Sequence, residues 1–477
     1  MNALDALLLL ETPSLKAGLA AHPHALVRLE ALGRPDRKRP PLDLVACIDV
    51  SGSMSGPKLE AVRRALHALA SELSGEDRLG LTTFEAEVRQ ALPPTAMDRE
   101  GKARLRAAVD RLVPLGNTFM SGGLLGALDD LHAAPAPAEG AVRRVLLFTD
   151  GHANHGLSEA DREGWAQLLG KQLRGTSVSW FGFGEDHDAE FLAWLADLSR
   201  GNAYVAKDAD AISDGFAQEL GGLLGVRATD ITVTLSVKGG SAALLNEEAS
   251  EQKDGAVRVK LADLSCEERR DLVFALAVPP SGAGAPPLSV DVQVRFRDAL
   301  SGDWQEAALR GEVAFTDGAP ATPRLEVVEA AALVLAGLAQ GRARAFSEQR
   351  RWTDAAAAIH EAAARLRAVG TERASALAEN LARLAGEYGD PAVYGTSKSK
   401  LMASRRAFSK QRSSGSDMDG FFSTESKRAM QERFRAQREA EEAQVDTDLV
   451  RRLEQEMVDH LRQALTRARV RGPRRPH

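Results

Sequence analysis

A chain of 477 residues is too long for one ordinary core, and its 44 % apolar and 27 % charged residues are those of a folded protein of two to four domains. The formal net charge of −6 and the presence of only two cysteines, Cys47 and Cys266, exclude a globally basic nucleic-acid binder and a disulfide framework. The first eleven residues carry Asp5 where a signal peptide needs a basic region, and no run reaches the ~20 apolar residues of a membrane span, so a cytoplasmic protein without a membrane partner is expected.

From residue 42 to about 221, apolar runs of strand length alternate with helical periodicity, the pattern of a parallel α/β sheet. The first strand, from Leu42, ends in Asp49-x-Ser51-x-Ser53 and holds Cys47 as a small buried side chain. A helix over 57–73 follows, with Leu59, Val62, Leu66 and Leu69 at helical spacing, then a strand over 78–84 and a helix over 102–112. The loop 114–118 leads into a helix over 120–131, and the strand 142–151 ends, like the first, on a carboxylate, Asp150. A strand over 177–183, a helix from about 188, a last strand over 203–206 and a helix over 212–224 complete the unit.

Beyond residue 226 the period falls to two. Ile231, Val233, Leu235 and Val237 alternate with polar residues, and 257–261 and 290–296 repeat the pattern, so 226–320 reads as an antiparallel β-sandwich. Residues 324–388 are alanine-rich, with Leu333, Leu335, Leu338, Ile359, Leu366, Leu377, Leu381 and Leu384 on helical faces, predicting two or three antiparallel helices. The segment 389–424 has the Ser, Gly and charge content of a flexible linker. The last unit, 425–477, is a helix with Leu449, Leu453, Met457, Leu461 and Leu465 in a stripe, ending in a basic tail. From 390 to the end there are 19 Lys/Arg against 13 Asp/Glu, a surplus that could meet an acidic partner but reads better as a solvated tail.

Asp49, Ser51 and Ser53 place one carboxylate and two hydroxyls on the loop at a strand's carboxyl end, and oxygen ligands suit Mg²⁺, Ca²⁺ or Mn²⁺. In parallel α/β sheets ligands gather beyond those ends, where Asp150 also stands. Helix capping before Pro57 is the competing reading of the two serines. His152 and His155, flanking Asp150, suggest a transition-metal site less well than they suggest surface loop histidines, and Asp186 and Asp188 suggest a helix cap rather than a second cation loop.

These motifs, in this order over residues 40–223, resemble the von Willebrand factor type A (VWA) domain. Asp49, Ser51 and Ser53 match its D-x-S-x-S, Thr118 in Gly116-Asn117-Thr118 its second-loop threonine, and Asp150 in Thr149-Asp150-Gly151 its second aspartate. The resemblance implies a Rossmann-like α/β domain with a metal-ion-dependent adhesion site: Ser51, Ser53 and Thr118 as neutral ligands of Mg²⁺, and Asp49 and Asp150 acting through coordinated water. One coordination position would accept an Asp or Glu of a protein partner. It also implies, as in many multidomain bacterial proteins of this type, that the N-terminal segment 1–38 supplies strands, with 13–35 pairing with 226–315, so that the α/β domain is inserted in a β-sandwich, and that the helical C-terminal region follows.

The implied function is that of an intracellular adaptor without catalytic residues, working beside a MoxR-type AAA+ ATPase or in a stress or conflict system. A Mg²⁺-dependent phosphohydrolase with Asp49 as nucleophile is the enzymatic alternative, but such a site wants a second carboxylate two positions on, where Ser51 stands. A secreted or surface adhesin is the third reading. Asp417, Asp419 or Glu425 could reach the cation as an internal ligand.

Overall fold

The computed structural model describes residues 3–33, 39–133, 140–150, 153, 155–183, 189–206, 209–410, 424 and 427–436. The chain opens with three strands, β1 (Leu4–Leu10), β2 (Ser14–Lys16) and β3 (His24–Ala31). It then builds an α/β domain: β4 (Leu42–Asp49), α1 (Pro57–Glu72), β5 (Arg78–Phe84), β6 (Val88–Ala96), α2 (Arg99–Asp110), α3 (Met120–Ala133), β7 (Val142–Thr149), α4 (Arg162–Gln172), β8 (Ser177–Phe183), α5 (Ala189–Leu198), β9 (Ala203–Ala206) and α6 (Ala209–Leu224).

The sheet order is β6-β5-β4-β7-β8-β9, all parallel except the β5–β6 hairpin. Both faces are covered, which explains why β4 is buried throughout and runs apolar from Leu44 to Ile48 instead of alternating. Leu44, Ala46 and Ile48 face α1, α2 and α6, whereas Val45 and Cys47 face α3, α4 and α5. The chain leaves β4 in one direction toward β5 and β6 and returns to its other side as β7, so the sheet has its switch point between the carboxyl ends of β4 and β7.

The sandwich continues with β10 (Val226–Lys238), β11 (Ser241–Leu244), β12 (Ser250–Lys253), β13 (Ala256–Lys260), β14 (Leu264–Ser265), β15 (Arg269–Ala277), β16 (Leu288–Asp298) and β17 (Trp304–Thr316). One sheet runs β1-β3-β15-β11 and the other β12-β13-β10-β16-β17-β2, with β14 on β10. β3 pairs antiparallel with β15, and β2 pairs with the end of β17 in parallel. The α/β domain thus sits between β3 and β10, inside the sandwich's own sequence. The apolar sides of both sheets, among them Val27, Leu29, Val233, Val259, Phe274 and Val292, close one core.

Four helices follow, α7 (Leu325–Glu348), α8 (Trp352–Ala368), α9 (Glu372–Gly389) and α10 (Pro391–Lys410). The expected linker at 389–424 is corrected over its first half: α10 buries Tyr394, Leu401, Ala407 and Phe408 against the other helices. Its Ser and Lys content suggested solvent, but Leu401 and Phe408 stand seven residues apart, two turns along one face. Of the leucines on helical faces, Leu335 points to solvent at 37 % exposure, whereas Leu333, Leu366, Leu377 and Leu381 are buried. Residues 427–436 are helical, and Met430 and Phe434 enter the core beside α1 and α6. The stripe from Leu449 to Leu465 and the basic tail lie outside the described residues, as do Asp417, Asp419 and Glu425.

Candidate metal centre

Asp49 closes β4 and Asp150 follows β7, so the switch point places two carboxylates on neighbouring strand ends. Between β4 and α1 the chain makes a single 3-10 turn over Gly52–Met54, flanked by Ser51 in extended conformation. Neither serine caps a helix: Ser51 makes no side-chain capping hydrogen bond, and α1 is capped by Gly56 with Pro57 as its first residue. The capping reading of these serines is therefore set aside, and their hydroxyls turn toward each other. Ser51 Oγ and Ser53 Oγ lie 3.1 Å apart, and Ser53 Oγ donates to Asp150 Oδ1 at 2.7 Å.

Thr118 is buried at the entrance to α3, on a loop stitched to the first one. Leu115 N donates to Val50 O at 2.6 Å, Gly52 N to Gly116 O at 3.3 Å and Phe119 N to Glu85 O at 2.8 Å. Gly116 has φ 67°, and a Cβ there would strike the Glu85 carboxylate, so this loop needs glycine twice over. The loop pairings bring the Thr118 segment against the Ser51–Ser53 segment, with Asp49 and Asp150 beneath.

Three further residues shape the site and were not singled out in the sequence. Thr149 Oγ1 donates to Asp49 Oδ2 at 2.7 Å while Ser51 N donates to Asp49 Oδ1 at 2.8 Å, so both Asp49 oxygens are engaged from within the protein. Lys58, one residue into α1 after Pro57, sets its ammonium on Asp150 Oδ2. Glu85 carries the backbone carbonyl that fixes the second loop. A lysine in the first turn of a helix opposes the helix dipole, the one signal that could have marked Lys58.

Burial pushes the Asp49 carboxyl up to about 6 against the hydrogen bonds from Ser51 and Thr149, and the neighbouring Asp150 charge adds to the rise. A cation at this corner would relieve that cost. The donor set suits a small hard one: adjacent oxygens on an octahedron with bonds of about 2.1 Å stand about 3 Å apart, and the hydroxyl pair is at 3.1 Å. No three His, Cys, Asp or Glu side chains among the described residues group as metal ligands, so any metal here depends on the hydroxyls. His155 packs edge-on against Phe119 with ring centroids 4.5 Å apart. His152, Asp186 and Asp188 lie outside the described residues.

Residues 43–218 match the family model of the von Willebrand factor type A domain. The E3 ubiquitin-protein ligase WAV3 of Arabidopsis thaliana is 28 % identical over 272 residues, covering 55 % of this chain and 34 % of WAV3. The uncharacterized protein sll0103 of Synechocystis is 28 % identical over 313 residues, 63 % of this chain and 72 % of that protein. The chain therefore spans about a third of WAV3 and most of sll0103. Among solved structures, a von Willebrand factor type A protein from Catenulispora acidiphila superposes with a TM-score of 0.62 at 17 % identity, covering 80 % of this chain and 89 % of that one.

Proposed function

We propose, on the premise that residues 43–218 are a von Willebrand factor type A domain, that this chain is a protein-binding adaptor gripping an acidic residue of its partner through a divalent cation. Asp49, Ser51, Ser53, Thr118 and Asp150 would hold the cation. The hydroxyl-to-carboxylate chain from Ser51 through Ser53 to Asp150 carries this reading. When bound, the cation supplies an electrophilic position for a carboxylate. The protein's part is to fix the donors: the internal hydrogen bonds engage both Asp49 oxygens, so Asp49 would act through water and the Ser51, Ser53 and Thr118 hydroxyls would hold the ion.

Charge counting favours docking over chemistry. Asp49, Asp150 and Lys58 sum to −1, a divalent cation brings the corner to +1, and one partner carboxylate returns it to neutrality. No second carboxylate stands at Ser51 to act as a general acid, which disfavours phosphohydrolase chemistry at Asp49. Mg²⁺ is the proposed ion, with Ca²⁺ and Mn²⁺ as alternatives. No described helix is long and apolar enough to cross a membrane, and a cytoplasmic partner, such as a MoxR-type AAA+ ATPase, belongs to this proposal.

Affinity purification from native lysate with the wild type, Asp49→Ala and Ser51→Ala, each with Mg²⁺ or chelator, tests it. At least one partner should be retained by the wild type with metal and lost in every other arm. Partners that survive both substitutions and chelation would move the binding surface to the sandwich or the helices.

A further inference from the structure

At the opposite end of the sheet, the amino ends of β7 and β8 meet the sandwich strands β10 and β16 around a cavity of about 260 Å³. It lies roughly 25 Å from Asp49 and Asp150, the length of an eight-residue strand. Four guanidinium groups line it, from Arg143, Arg174, Arg200 and Arg297. Its three aspartates are already paired: Asp230 with Arg200 at 2.9 Å, Asp263 with Arg144, and Asp298 with Arg227. Arg143 is held by Asp43 at 3.2 Å. Arg174 and Arg297 have no carboxylate partner among the described residues, and Arg297 donates only to the Gly302 carbonyl, at 2.6 Å. Among the described residues, two guanidinium groups thus stand without a carboxylate in a concave wall of a chain whose net charge is −6.

The backbone singles out the same place. Of the six described non-glycine residues with positive φ, three line this cavity: Arg174 at 43°, Arg200 at 55° and Asp230 at 53°. Arg174 lies two residues past the end of α4 and Arg200 two past the end of α5, and each is followed by glycine, Gly175 and Gly201. Helix termination favours glycine in the left-handed position, where a side chain costs about 1 kcal/mol or more. Two successive helices instead spend that conformation on an arginine aimed at one cavity, and such strain gathers at functional sites. The positive potential also reaches His132, which burial and then the Arg143 and Arg174 charges hold below the ordinary histidine range.

We propose that this cleft is a binding site for a small phosphate-bearing anion, clasped by Arg174 from the α/β domain and Arg297 from the sandwich. Planar guanidinium groups bind phosphate oxygens in pairs. The volume falls below the about 300–1,000 Å³ of sites for drug-sized ligands, which suits a phosphate with at most a small substituent. Because the two arginines belong to different domains, the anion fixes one domain against the other.

Isothermal titration calorimetry of the full chain with inorganic phosphate and with pyrophosphate, against chloride at equal ionic strength, tests the assignment. One site per chain is expected, with affinity reduced roughly tenfold or more by Arg297→Gln. Arg174→Gly is the sharper variant: it relieves the left-handed strain, so its melting temperature should equal or exceed that of the wild type while phosphate binding falls as far. Asp49→Ala should bind phosphate as the wild type does, which separates this site from the metal centre. Absence of saturable heat with either probe at millimolar concentration, or binding unchanged in both arginine variants, overturns the proposal.

Discussion

Asp49→Asn should make the metal-free protein more stable and the metal useless to it. The Asp49 carboxyl titrates at about 6 in place of its ordinary 3.8, chiefly through burial. At 1.36 kcal/mol per pH unit, ionising it in the folded state costs about 3 kcal/mol. The sign follows from proton linkage: with the folded pKa raised, the native state holds the extra proton between about 4 and 6, so the metal-free protein loses stability as pH rises through that window and carries the full cost at pH 7. Asparagine removes the charge and keeps both contacts, since its oxygen accepts from Ser51 N and its amide donates to the Thr149 hydroxyl, which can turn to accept. The expected gain in chelator at pH 7.5 is about 1–3 kcal/mol, or several degrees in the melting temperature of a domain of this size. Thermal melts of both proteins at pH 5 and 7.5, in chelator and in Mg²⁺, read all of this. The wild type should gain from Mg²⁺ at pH 7.5 and the variant should not. A variant less stable than the wild type in chelator, or one that Mg²⁺ stabilises equally, refutes the reasoning.

Lys58→Met should tighten Mg²⁺ and weaken the carboxylate partner, each by about tenfold, because a unit charge removed a few ångströms away acts oppositely on a cation and an anion; metal titration and partner affinity moving in the same direction would contradict the charge count. Arg144→Met strands the buried carboxylate of Glu219, and urea denaturation should show a loss of about 3–5 kcal/mol. Burial would raise the Glu219 carboxyl, but the Arg144 charge and hydrogen bonds from Ser179 and Asn202 outweigh it and hold it at about 2, so the stability it contributes is whole above pH 4.5 and drains as pH falls toward 2; the wild type should show this acid sensitivity and Glu219→Gln should lack it. Phe434→Ala should cost about 3 kcal/mol and raise amide exchange in α6, since the Phe434 ring meets Phe216 at 6.1 Å; unchanged exchange would show that the segment 427–436 lends α6 no support.

The candidate metal loop was legible because its chemistry is contiguous: a carboxylate and two hydroxyls within five residues at the end of a strand with no polar interruption but Asp43. Thr118 and Asp150 were readable only as companions to that run, each on its own loop. Lys58 and Thr149 were not, because each acts through a partner on another strand or loop: a lysine in the first turn of α1 opposes the helix dipole, but that does not name its contact, and Thr149 has no local mark. The same limit explains the missed elements. α4 buries only Trp165 and Leu169, too few positions to show a helical period, and β6 is an exposed edge strand containing Pro93 and Pro94. Helix α10 misled for the opposite reason: its composition is that of a linker, whereas its few apolar residues are spaced for packing. Gly337 on α7 shows how close that packing is, since a Cβ there would come 2.7 Å from the Ser409 amide nitrogen.

Among the described residues, the attachments of the α/β domain leave one end of its sheet clear. Arg406 of α10 reaches Asp197 and the Ala193 carbonyl on α5, and Arg344 of α7 reaches Glu190 on the same helix. Lys427 and Arg435 tie the segment 427–436 to Glu268 of the sandwich and Asp214 of α6, and Arg200 and Arg144 join the α/β domain to the sandwich through Asp230 and Asp263. None of these ion pairs uses the loops that carry Ser51, Ser53, Thr118 or Asp150. On that clear end Ser53 is exposed, and Val113 and Leu115 stand 58 % and 53 % exposed on the loop leading to Thr118. Apolar side chains of this size beside a charged corner favour a partner that offers aliphatic contacts around its carboxylate. A free acetate or an acidic residue in a polar peptide would meet the cation alone, whereas an acidic residue flanked by leucine or valine would also cover these two side chains. On the proposed function, specificity for the partner would then lie in the loop before Thr118 rather than in the residues proposed to hold the ion.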